Sequence, residues 1–133
     1  MRACQLAEHH GTTRMIIDCH GHCSIDGSYS LSADDTVRSL DLYGIDQICC
    51  SAPITSGEAT PDLIRARNDL ILGAMRKYPD RIMGMCFLNP GHPREAQDEI
   101  TRCVVDNGMV GVKLYNQYRI CDPVQFPVIE RCI

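Results

Sequence analysis

The stretch Met15-Ile16-Ile17-Asp18-Cys19-His20-Gly21-His22 decides the fold. A short apolar, β-branched run reads as a buried strand, and it leads straight into an acid and two histidines spaced one apart. Side chains alternate between faces along a strand, so His20 and His22 are expected on one face, about 6.6 Å apart at their backbones. Asp18 is expected on that face one step earlier, with Ile17 and Cys19 on the other. Two imidazoles at a strand end make half of a metal site, and imidazole suits zinc, iron, copper or nickel.

Working outward, apolar runs and amphipathic stretches alternate. Ser32 and Asp35 resemble a capping pair before Val37, Leu40 and Tyr43 at helical spacing, closed by Gly44. Ile45 to Ala52 reads as a second strand. Thr60-Pro61 opens a helix carrying Leu63, Ile64, Arg67, Leu70, Ile71, Met75 and Tyr78 on one stripe, which Pro79 ends. Ile82 to Leu88 is a third strand. Pro93 starts a helix that runs to Asn107-Gly108, with Ala96, Ile100, Cys103 and Val104 on one face. Val110 to Tyr115 is a fourth strand, and Asp122-Pro123 begins a last helix whose regular turns Pro127 delays. Continuously apolar strands separated by amphipathic helices predict an α/β protein with a parallel sheet and right-handed crossovers. Both a doubly wound sheet and a closed (β/α)8 barrel satisfy this pattern. No glycine-rich phosphate loop follows the first strand, which leaves a nucleotide-binding version without support.

Composition narrows the partners. The 133 residues are 44% hydrophobic and 23% charged, with a net charge of −4 and thirteen scattered basic residues. That balance argues against nucleic acid and against an anionic membrane surface. No apolar run approaches the roughly 20 residues that span a bilayer. Residues 1–14 lack the apolar segment of a secretory signal and are expected to be a disordered extension, with Met15 as a natural start and His9 and His10 solvated. The nine cysteines are an odd number with no C-x-x-C pair. They are expected to be reduced, in a cytoplasmic protein, and to act as small hydrophobes in the core. Cys19 and Cys23 flank the histidines, but strand alternation points Cys19 away from them and so opposes a structural zinc site. His92, between Pro90-Gly91 and Pro93, is expected just ahead of the third helix.

With the strands placed, Ile17-Asp18-x-His20-x-His22 resembles the first-strand signature of the metal-dependent amidohydrolase superfamily. Arg67-Asn68-Asp69, Tyr78-Pro79-Asp80-Arg81-Ile82 and Gly111-Val112-Lys113-Leu114 resemble later landmarks of its amidohydrolase-2 branch, the aminocarboxymuconate-semialdehyde decarboxylase-like proteins. The resemblance covers residues 15–133. It implies the first four βα units of a TIM (β/α)8 barrel, truncated, since such barrels run to roughly 250 residues. It also implies a hydrolase or decarboxylase acting on a small carboxylate- or amide-containing molecule, with a divalent metal, expected to be zinc, held by His20 and His22. The further ligands implied by the family (histidines after the fifth and sixth strands, an aspartate after the eighth) have no counterpart in the chain.

Lys113 stands where some relatives carry a metal-bridging carboxylated lysine; it serves equally as a contact for a substrate carboxylate or as a stem lining the barrel. Asp18 is a second catalytic candidate, orienting a ligand rather than binding metal. Asn89, Tyr115 and Asn116 lie just past strand ends and are candidates to touch substrate. Two other readings compete. His20-Gly21-His22 with Asp26-Gly27 resembles the first motif of metal-dependent phosphoesterases of the polymerase-and-histidinol-phosphatase type, but Cys50-Ser51-Ala52 stands where these have Thr-Asp-His. A TatD-type nuclease would place a glutamate where Lys113 stands. The non-enzymatic alternative is an inactive half-barrel with a binding or oligomerising role, self-associating through open edges.

Overall fold

A four-stranded parallel sheet, covered with helices on one face, organises the molecule. The computed structural model describes residues 14–133. The expectations for Cys4, His9, His10 and, save for Arg14, for the N-terminal extension lie outside the described residues. The strands are β1 (Ile17–Gly21), β4 (Gln47–Cys50), β5 (Ile82–Leu88) and β6 (Gly111–Leu114), in the spatial order β1-β4-β5-β6. Between them run α1 (Ala33–Tyr43), α2 (Pro61–Lys77), α3 (Pro93–Ile100) and α4 (Phe126–Cys132). Two short strands, β2 (Cys23–Ser24) and β3 (Leu31–Ser32), form a separate parallel pair inside the expected turn-rich loop. Two-residue strands carry no periodic signal, so the sequence does not show them.

Local chemistry explains most boundaries. The Asp35 N–H donates to Ser32 Oγ at 3.1 Å, which caps α1, and Gly44 closes it at φ 66° in the left-handed region that glycine adopts freely. Thr60 precedes α2 as expected, yet its hydroxyl makes no capping bond. The second strand is shorter than Ile45–Ala52, because the carbonyls of Ile45 and Asp46 accept from Arg81 at 3.1 and 2.8 Å. α3 passes into a π-helical turn over Thr101–Val105, where the Asp106 N–H donates to the Thr101 carbonyl at 3.0 Å. A 3-10 turn, Pro123–Gln125, delays α4, in line with Pro127.

The core lies between the sheet and its helices. Ile48, Cys50, Ile82, Cys86 and Leu88 meet Val37, Leu40, Ile71, Leu72, Ala96, Ile100, Cys103 and Val128. The cysteine expectation holds for Cys23, Cys50, Cys86 and Cys103; Cys19, Cys121 and Cys132 are exposed instead, and Cys49 is half-buried. The exposed three sit at a strand bulge, in a loop and on the last turn, where no layer covers them. All eight described cysteines are free. On the sheet's other face, Gln47, Cys49, Met83, Met85 and Lys113 are only half-buried. No helix among the described residues is long and apolar enough to cross a membrane.

One polar node is buried within this core. Asn68 is fully buried; its amide donates to the Phe87 carbonyl at 3.1 Å and to Glu99 Oε2 at 2.9 Å, and accepts from the Phe87 N–H at 2.8 Å. Arg102 grips Glu99 through Nε and Nη2, both at 2.7 Å. Burial pushes the Glu99 carboxyl up, but hydrogen bonds from Arg102 and Asn68 outweigh it and hold the group below its ordinary value. Asn68→Ala leaves both Phe87 backbone groups unpaired, at roughly 1–3 kcal/mol for each buried orphan. Denaturant titration should therefore show a loss of about 3 kcal/mol. A carboxyl depressed in the folded state stabilises fully above its unfolded value of about 4.5 and loses that contribution as pH falls through its folded value. Glu99→Gln is accordingly expected to be less stable at pH 7 and to flatten the acid limb of the stability profile.

Candidate metal-binding and substrate cleft

Parallel strands finish at one rim, and the two histidines stand there. β1 and β4 pair as Asp18↔Ile48 and then Gly21↔Cys50, so three steps on β1 match two on β4. This bulge inserts one extra residue into β1 and breaks the alternation after Asp18. Asp18 thus registers with Ile48, which faces the helices, and borders a hollow with His22, Leu31, Thr36 and Leu40. By strand register alone Asp18 departs from the expected histidine face, while it still lines one hollow with His22. Its carboxylate instead accepts the backbone N–H of His20 at 3.0 Å. Gly21 also points toward the helices, and a Cβ there would run into Ile48.

His20 and His22 flank Gly21, with ring centroids 5.2 Å apart and planes at 81°. His22 is half-buried, and its Nδ1 lies 2.9 Å from the Ser51 carbonyl. A carbonyl only accepts, so Nδ1 carries the proton and donates, leaving the Nε2 lone pair for a ligand. The Ser51 N–H meanwhile donates to the Gly21 carbonyl at 3.1 Å, which pins both ends of this contact to the β1–β4 junction. Sequence reasoning missed Ser51, because the contact is made by its main chain and no side-chain identity signals it.

Beside His22 a cleft of about 190 Å³ opens, lined by His22, Pro53, Thr55, Phe87, Lys113 and Asn116 among others. Lys113 is half-buried opposite Phe87 in the β5–β6 register, and the ion pairs found among the described residues do not include it. The cleft combines an imidazole, an ammonium, an amide and a hydroxyl with an apolar wall, a composition suited to a small anionic molecule. Asn116 is exposed at its mouth.

Asn89 and Tyr115 sit close by but are engaged elsewhere. Asn89 is 5% exposed; its amide donates to the Ala59 carbonyl at 3.0 Å and accepts from the Gly91 N–H at 2.9 Å. The Tyr115 hydroxyl donates to the Gly57 carbonyl at 2.9 Å, and its ring packs edge-on against Phe87. His92 precedes α3, as expected. Cys19 and Cys23 do not come together, since Cys23 is buried against Cys50 while Cys19 is exposed. Cys86, Glu99 and Cys103 lie within 4.8 Å of one another, but Glu99 is committed to Arg102 and Asn68. Two histidine nitrogens suit a first-row divalent cation, and the freed Nε2 of His22 fits that use.

The family model described as Amidohydrolase matches residues 17–132. A gamma-resorcylate decarboxylase of Rhizobium sp. is 31% identical, over 59% of this chain and 26% of that protein. The crystal structure of 2,6-dihydroxybenzoate decarboxylase from Rhizobium superposes with a TM-score of 0.72 at 20% identity, covering 89% of this chain and 46% of that one. A 5-carboxyvanillate decarboxylase from Novosphingobium aromaticivorans, solved with bound manganese and a nitrobenzoic acid, gives 0.73 at 19% identity, covering 90% and 48%. The sheet and its helices are thus the first half of a (β/α)8 barrel, and the chain spans less than half the length of these relatives. In ¹⁵N NMR spectra recorded above pH 7.5 without metal, His22 is expected as the Nδ1–H tautomer; an Nε2–H signal would contradict the Ser51 contact.

Proposed function

The chain belongs to the amidohydrolase family, and on that premise we propose that it forms the N-terminal part of a metal-dependent decarboxylase or hydrolase acting on a small carboxylate-bearing molecule. One observation carries the reading: two imidazoles side by side at the strand rim, one with Nδ1 committed to a carbonyl and lining a cleft with a lysine that joins no ion pair among the described residues. His20 and His22 would hold the metal, manganese or zinc, as two of the three protein ligands that catalytic zinc sites normally use. A bound divalent ion supplies Lewis acidity and a water of lowered pKa.

The chain's own residues take the remaining tasks. Lys113 pairs with the substrate carboxylate and fixes its direction in the cleft. Asn116 and Thr55 donate hydrogen bonds at the cleft mouth, and Phe87 with Pro53 keeps water from the reacting group. Asp18 acts through the backbone, holding the His20 N–H and with it the bulge that turns both rings inward. Asn89 and Tyr115 brace the two loops that wall the cleft. Residues outside this chain supply the other ligands and the acid–base group. The free cysteines support residence in a reducing compartment such as the cytoplasm.

Calorimetric titration with Mn²⁺ and Zn²⁺ tests the ligand assignment. Wild type should bind one ion per site, and His20→Ala/His22→Ala should lose at least about 100-fold in affinity; undiminished binding would reject the assignment. Lys113→Met should leave metal affinity intact and abolish retention of a dihydroxybenzoate probe. The half-open inner face of Cys49, Met83 and Met85 supports a second reading, a self-associating scaffold. Sedimentation at rising concentration should show association if that face is uncovered in solution.

A further inference from the structure

We propose that Tyr29, backed by Arg67, is the positioning residue that stops the His22 imidazole from swinging. The inference rests on the reading of His22 as a metal ligand. The Ser51 carbonyl fixes His22 at a single ring nitrogen, and one hydrogen bond leaves a ring free to pivot about it. On one side lies the His20 ring, itself exposed, at 5.2 Å; a further contact comes from Tyr29, whose ring meets His22 at 6.3 Å between centroids and an interplanar angle of 84°. This edge-to-face arrangement complements the ring quadrupoles.

Tyr29 is itself held on two sides. Its backbone N–H donates to Ser24 Oγ at 3.2 Å, and Ser24 is fully buried. On the other side the Arg67 guanidinium lies over the Tyr29 ring, with Cζ 4.5 Å from the centroid. Among the described residues, Arg67 Nε is buried with no hydrogen-bond partner, and the ion pairs leave Arg67 out. A buried guanidinium nitrogen without an acceptor is costly, and the aromatic face is what compensates it here. α2 also touches the same loop at Gly73, where a Cβ would come within 3.1 Å of Ile25 Cβ. The loop between β1 and α1 is therefore clamped to α2 at two points. The cation stands one ring away from His22, near enough to steady Tyr29 and separated from any ion that the histidine binds.

Two measurements test the clamp. In the metal-free chain, nuclear Overhauser contacts between the Tyr29 and His22 rings should survive Arg67→Lys, which keeps a cation over the ring, and vanish in Arg67→Met. In Mn²⁺ titrations, Tyr29→Leu should weaken binding about tenfold or more, whereas Tyr29→Phe should restore wild-type affinity. Thermal unfolding without metal identifies any variant that loses its fold rather than its site. A folded Tyr29→Leu with wild-type affinity, or an Arg67→Met that keeps the ring contact, overturns the positioning role and leaves the metal assignment standing. A wild-type chain that binds no Mn²⁺ overturns both.

Discussion

A single buried amide holds the fold together. Asn68 presents its oxygen and nitrogen to the main chain of Phe87, and so does for a helix and a strand what a neighbouring strand does in a ladder. Its second proton goes to Glu99, whose charge is in turn neutralised by Arg102, so α2, β5 and α3 meet at one polar point inside an apolar core. Buried polar groups stabilise only when every member is satisfied, and here each one is. The consequence reaches the cleft, because Phe87 forms its wall and lies opposite Lys113. The node thus anchors the β5 residue that stands opposite Lys113 in the sheet.

Much of this was legible in the sequence. Continuous apolar runs alternating with amphipathic stretches pointed to the parallel sheet, because these strands carry apolar side chains on the helix-covered face and largely also on the half-open one. Capping residues marked both ends of α1. His-x-His closes the first run, where the two rings stand 5.2 Å apart, and Lys113 lines the same cleft as His22. The Arg67-Asn68-Asp69 landmark was equally visible, although the amide of Asn68 and the Asp69 carboxylate that meets Arg102 at 2.6 Å serve architecture rather than chemistry.

What stayed hidden has a common cause. Strict alternation put Asp18 beside the histidines, and a single extra residue in β1 put it on the other face. Nothing in the composition of Asp18-Cys19-His20 announces a bulge, because the driving contact is between the empty side of Gly21 and Ile48 on another strand. The same holds for Ser51, whose backbone carbonyl orients His22, and for Asn89 and Tyr115, whose polar groups are taken by the carbonyls of loops far away in sequence. Main-chain partners supplied across the fold are invisible to any reading of side chains in order.

The bulge in β1 has a companion in the π-helical turn at Thr101–Val105, which likewise accommodates one residue more than the regular element would. Both irregularities set phase: one decides where the histidines face, the other lies directly upstream of the strand carrying Lys113. A slip of one position reverses every side chain of a strand. Loss or gain of a single codon within β1 would therefore exchange the faces on which Asp18 and His20 stand.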